Sequence, residues 1–274
     1  MNISFYSSLW ASALLLLLAS CHSTTNDNTA PTAETNTNPS NTTTTMSSKK
    51  VLFVLTNHAT KGSTGEETGF YLSEAAHPWK VLKEAGYQID FVSPQGGKAP
   101  VDGFDLEDPI NKEFWENPAC QEAINNTMSP QQVQIEDYAA IHYVGGHGTM
   151  WDFPENEELA NLAAAIYEQG GAVSAVCHGP AGLVNVKLSD GSYLVAGKRV
   201  SGFTNEEEEA AGLTDVVPFL LEDKLIERGA NFQKAGNWEE KISVDGRLIT
   251  GQNPASATAV GQALKAQLEG LAAS

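Results

Sequence analysis

The segment Ala175-Val176-Cys177-His178-Gly179-Pro180 carries the strongest chemical signal in the chain. An apolar run stops at a cysteine, and the small residues that follow predict a helix over Ala181–Val186. A sharp strand-to-helix turn of this kind exposes the side chain and sets it at a helix N-terminus, where the dipole and free N–H groups favour a thiolate. Cys177 is therefore read as a nucleophile with His178 beside it, in preference to a structural cysteine packed beneath a sheet. The second signal is Gly145-Gly146-His147-Gly148. Its N–H groups, Gly146 among them, could join that of His178 in an oxyanion hole, although a plain glycine-rich turn fits the spacing equally well.

Positioning such residues calls for an α/β sheet. Val51–Leu55 is a short, continuous, β-rich apolar run, the pattern of a strand buried on both faces. Similar runs follow at Gln88–Val92, Ala140–Val144, Ala172–Val176 and Arg247–Thr250, with helical patterns between them at Phe70–Ala85, Glu155–Gln169, Val217–Arg228 and Ala255–Leu268. Gly86 and Gly170-Gly171 stand where helices should end. The alternation predicts one α/β domain over residues 49–274, a flavodoxin-like three-layer sandwich with a mainly parallel central sheet and a nucleophile elbow. Its ligand site should lie at the carboxyl ends of the strands, where Cys177 and the Gly145–Gly148 turn both fall.

The N-terminal region reads differently. Residues 9–20 (LWASALLLLLAS) are too short an apolar run for a permanent transmembrane helix but suit a signal-peptide core, although no Lys or Arg precedes them. Leu18-Ala19-Ser20-Cys21 resembles the lipobox of bacterial lipoproteins, which makes residues 1–21 a signal peptide and Cys21 the lipidation site. Residues 22–48 are almost wholly Thr, Asn, Ser, Pro and Ala and are expected to form a disordered tether. The domain is then expected in the cell envelope, anchored to a membrane through the lipid, with His22 favouring the outer membrane. Only two of the 34 acids precede Lys49, so residues 49–274 carry 32 acids against 16 bases. That charge argues against nucleic acid or anionic lipid as a partner of the domain. Cys120 and Cys177 show no framework spacing, and Cys120 is expected to be an ordinary buried thiol.

Several segments taken together resemble the ThiJ/PfpI superfamily of class I glutamine amidotransferase-like proteins, and most of all its branch of glutathione-independent glyoxalases, also described as chaperones and protein deglycases. They are Thr68 to Pro78 (TGFYLSEAAHP), Gly145 to Gly148, Ala175 to Pro180, Gly202 to Glu209 (GFTNEEEE) and Thr250 to Ser256 (TGQNPAS). The resemblance implies Cys177 as nucleophile, His178 as its neighbour in a Cys-His-Glu triad, and Glu74 as the carboxylate at the thiol. It puts the triad acid on Glu208, with Glu206, Glu207 and Glu209 leaving the register open by a residue or two.

The glutaminases of that superfamily need a histidine downstream of the cysteine loop, but His22, His58, His77, His142, His147 and His178 are the only histidines, so no glutaminase triad can form. A small aldehyde is the implied substrate, converted to a 2-hydroxy acid through a cysteine hemithioacetal without a cofactor. A redox-sensing chaperone using the same thiol is the alternative, and a cysteine peptidase a weaker one. A homodimer is a possible assembly. No metal site is expected: His77 and His147 with a carboxylate lack tight ligand spacing.

Overall fold

The computed structural model describes residues 50–272. The expected signal segment 1–21 with Cys21, and the expected tether 22–48, lie outside the described residues. The central sheet has six strands: β1 (Lys50–Val54), β3 (Ile89–Val92), β5 (Tyr138–Tyr143), β6 (Ala172–Val176), β9 (Ile242–Asp245) and β10 (Leu248–Gly251). Two two-stranded ribbons complete the β-structure, β2 (Phe70–Tyr71) with β4 (Val101–Asp102) and β7 (Arg199–Val200) with β8 (Asn231–Phe232).

The order across the sheet is β3-β1-β5-β6-β10-β9, with every neighbouring pair parallel except the antiparallel β10–β9 edge. The expected three-layer α/β architecture is borne out. Every residue of β5 and β6 is buried, as continuous apolar runs covered on both faces must be.

Helices flank the sheet: α1 (Leu72–Glu84), α2 (Pro109–Glu116), α3 (Pro118–Asn125), α4 (Thr149–Asp152), α5 (Glu157–Glu168), α6 (Asn205–Ala210), α7 (Leu221–Glu227) and α8 (Ala257–Ala272). Local chemistry sets their starts. Asn156 caps α5 by accepting from the Leu159 N–H, and Thr204 with Glu207 forms a capping box on α6.

Three expectations are corrected by packing. The helix expected from Phe70 begins at Leu72, because Phe70 and Tyr71 pair with Val101 and Asp102. The helix expected over Ala181–Val186 is a 3₁₀ turn, Gly179–Leu183, and α7 starts at Leu221 rather than Val217. Helices α2 and α3 carry no long periodic pattern but do have start signals, Asp108-Pro109 and Asn117-Pro118, in which the acid or amide side chain caps and proline takes the first turn.

Candidate active site

Cys177 directly follows β6 and has φ +58°, a left-handed conformation that costs a residue with a Cβ about 1–2 kcal/mol. Backbone hydrogen bonds on both sides hold it there: its N–H donates to the Gly251 carbonyl of β10 at 3.0 Å, and its carbonyl accepts from the Phe203 N–H at 2.9 Å. This strained turn is the elbow expected from the sequence.

The thiol is almost fully buried, and its Sγ lies 3.4 Å from His178 Nδ1. On the far side of that ring, Nε2 donates to Glu208 Oε2 at 2.8 Å. His147 Nε2 donates to the other oxygen, Oε1, at 3.0 Å. Glu208 thus fixes both imidazoles with their protons on Nε2, which turns the Nδ1 lone pair of His178 toward the sulfur. Phe203 packs against the His178 ring, tilted by 35° with centroids 4.2 Å apart.

The four glutamates of the run separate by what they touch. Glu206 pairs with Lys234, Glu209 is exposed, and Glu207 accepts from Thr204, Gln252, Asn253 and the Trp238 N–H. Of the four, Glu208 is the one hydrogen-bonded to His147 and His178.

Glu74, in the first turn of α1, is fully buried. Its carboxyl lies against the Cys177 thiol and the backbone of Gly145, with no well-aligned hydrogen bond to either oxygen. Position 145 must be glycine, since a Cβ there would collide with Glu74 Oε2 and with the Cys177 side chain. Gly146 has φ +102° and lets the turn pass close to the backbone of Gly69–Tyr71. Thr149 ties turn to elbow, its hydroxyl lying 2.9 Å from the Gly146 carbonyl and 3.1 Å from that of His178.

The electrostatics follow from burial. Desolvation would raise Glu208, but hydrogen bonds from His147 and His178 outweigh it and bring the carboxyl down to about 2. Desolvation, with the neighbouring His147, lowers His178 to about 4 against the opposing pull of Glu208, so its ring is neutral at physiological pH. Burial pushes Glu74 well above the usual carboxylate range. Burial also pushes the Cys177 thiol up, assisted by Glu74 and Glu207 and opposed by the backbone N–H of His178 at the sulfur. Two negative charges side by side in that enclosure are disfavoured, so the Glu74–Cys177 pair retains one proton between its oxygen and sulfur.

The cleft above these groups has a volume of about 540 Å³ and is walled by Tyr71, His147, Phe203, Leu213 and Trp238. Trp238 was not legible in the sequence. It is about half exposed, holds φ +64°, and is fixed by its N–H to Glu207 at 2.9 Å, an arrangement that no local periodicity announces. His147 was expected only as part of the glycine turn.

Among the described residues, His147, His178 and Glu208 are a group close enough to hold a metal ion, with donor atoms within 4.8 Å of one another. These atoms are already joined by hydrogen bonds. His77 is elsewhere, between Thr258 and Asp108.

The sequence profile of the DJ-1/PfpI family matches residues 66–267. The chain belongs to the DJ-1/PfpI family. Among relatives, the glutathione-independent glyoxalase HSP31 of Saccharomyces cerevisiae is 35% identical over 230 residues, covering 77% of this chain and 94% of that protein. Glyoxalase 3 of Candida albicans is 34% identical over 232 residues, covering 80% and 98%. The crystal structure of Rapid Encystment Protein 24 KDa from Francisella tularensis superposes with a TM-score of 0.78 at 42% identity, covering 80% of this chain and 99% of that one. The chain thus falls in the glyoxalase branch of the DJ-1/PfpI family.

The same relatives correct the expected localisation. HSP31 and Glyoxalase 3 are eukaryotic glyoxalases that align along most of their own length, from cells with neither periplasm nor bacterial outer membrane. Among the described residues no helix is long and apolar enough to cross a membrane. The expected placement in a bacterial cell envelope, read from the apolar run 9–20 and the motif ending at Cys21, is contradicted by these relatives.

Proposed function

We propose that the cleft converts methylglyoxal or glyoxal to the corresponding 2-hydroxy acid, as a glyoxalase that needs no glutathione because Cys177 supplies the thiol. The observation that carries this reading is the buried chain Cys177–His178–Glu208 with the Glu74 carboxyl on the other side of the sulfur. It gives one nucleophile two neighbouring proton acceptors and no external thiol is required. The names of the curated relatives support the same reaction.

In the first step the Cys177 sulfur bonds to the aldehyde carbon, its proton passes by way of Glu74 or His178 Nδ1 to the carbonyl oxygen, and that oxygen becomes the hemithioacetal hydroxyl, held by the N–H groups of Gly146 and His178. The base then takes the hydrogen from that carbon, giving an enediol, and returns a proton to the adjacent carbon. The product is a thioester of the 2-hydroxy acid. Water attacks the thioester, the C–S bond breaks, the acid leaves and the thiol is restored. The sum is aldehyde plus water to hydroxy acid, with no net oxidation.

Incubation of the purified full chain with methylglyoxal should form lactate, and Cys177→Ala should abolish it with the fold retained. Unchanged lactate formation in Cys177→Ala would overturn the assignment.

A further inference from the structure

Helix α1 contains Pro78, one turn beyond Glu74. In an α-helix each carbonyl accepts from the N–H four residues on, and proline has no N–H to offer. The Glu74 carbonyl therefore has no helical partner, in a residue that is fully buried. Orphaned buried carbonyls carry a free-energy cost comparable to a lost hydrogen bond and are normally satisfied from elsewhere.

The donor comes from the sheet beneath. His142, in β5, places Nε2 3.5 Å from the Glu74 carbonyl oxygen, and its Nδ1 lies 2.9 Å from the Ser174 hydroxyl. His142 and Ser174 stand opposite each other in the parallel β5–β6 pair, so the sheet itself sets this contact. With the Ser174 hydroxyl donating to Nδ1, the ring proton sits on Nε2 and faces the carbonyl. Phe53 packs against the ring at 4.7 Å, and burial lowers the imidazole to about 4, which keeps it a neutral donor. Pro78 is equally built in. The Cα of Gly261 in α8 approaches so closely that a Cβ there would lie 2.8 Å from Pro78 Cα.

From these contacts we infer that His142 is a positioning residue, whose Nε2–H replaces the helix hydrogen bond that Pro78 removes and so fixes the turn from which the Glu74 carboxyl faces Cys177. The inference rests on Glu74 and Cys177 acting as a pair and is independent of which aldehyde is turned over.

Alkylation of Cys177 by iodoacetamide across a pH series, followed on the full chain by peptide mass spectrometry, reads the pair directly. The titratable groups facing the thiol, Glu74, Tyr71, His178 and Glu207, are left in place throughout. His142→Phe keeps the ring and loses the donor. Its alkylation rate at pH 7 should fall about tenfold, with the rise of the profile moved to higher pH. Pro78→Ala restores the N–H at the fourth position and by itself should stay within about twofold of wild type. The double variant His142→Phe/Pro78→Ala should regain the wild-type profile, because the helix then supplies its own bond. A folded His142→Phe that titrates like wild type overturns the inference, and so does a double variant as slow as His142→Phe. Where circular dichroism shows that His142→Phe alone does not fold, the double variant decides. Recovery of both fold and profile supports the role, and failure of either refutes it.

Discussion

Among the described residues two thiols are buried in unlike surroundings, and the contrast bears on the proposal that Cys177 is the nucleophile. Cys120 lies on α3 beside a small hollow lined by Trp79, Tyr87 and Phe91, with Lys83 at its edge. Burial pushes it up to about 12, Lys83 lowers it only in part, the charge of Glu113 raises it further, and among the described residues no carboxyl or imidazole is hydrogen-bonded to its sulfur. Cys177 is at least as deeply buried and is pushed up for the same first reason. The difference is that Glu74 and His178 stand against its sulfur and Glu208 holds His178 in the accepting tautomer. Burial alone makes an inert thiol; burial with a positioned acceptor makes one that can transfer its proton as it attacks.

That contrast can be broken in four ways. The largest effect is on turnover: Cys177→Ala should lose about a thousandfold or more in methylglyoxal kcat/KM, whereas Cys120→Ala should stay within about twofold, measured as lactate formed. Comparable losses in both would remove the distinction. In the unsubstituted chain at pH 7, Cys177 should alkylate on the order of a hundredfold faster than Cys120, resolved by mass spectrometry of the two peptides. Equal rates would mean that Glu74 and His178 do not activate the sulfur.

Next, Glu208→Ala should lower kcat by roughly tenfold to a hundredfold, because it frees the His178 ring and, with it, His147 in the cleft wall. Glu206→Ala, which removes only a surface pair with Lys234, should leave kcat unchanged. The smallest effect is one of titration. NMR should show the His178 ring neutral and protonated on Nε2 down to about pH 4. An unfolded chain takes up that proton from about pH 6.5, so the contribution of this group to stability is complete above 6.5 and is lost as the pH falls toward 4. A midpoint near 6.5 in the native protein would show an exposed ring and undo the buried chain.

Much of the molecule was legible from residue type and order. Continuous apolar runs identify buried parallel strands whatever their neighbours, and a cysteine at the end of such a run must emerge at the ligand edge of the sheet. The same logic located the Gly145–Gly148 turn, and the positions of the six histidines excluded a glutaminase triad. Boundaries were less legible where tertiary pairing intervenes, as at Phe70–Tyr71, which joins a ribbon before α1 begins.

What only the tertiary structure decided is which atoms meet. The resemblance favoured Glu208 but left Glu206, Glu207 and Glu209 open by a residue or two, and it is the seating of α6 against the elbow that gives Glu208 to the two histidines and Glu207 to Gln252, Asn253 and Trp238. Pro78 stands in the sequence inside the Phe70–Ala85 helical pattern, and nothing there says that His142, 64 residues later, stands beneath the carbonyl it leaves free. Periodicity records which face of an element is buried, because burial depends on a single residue and its solvent. A hydrogen bond across the sheet depends on two distant residues and the register between their strands, which no local pattern contains.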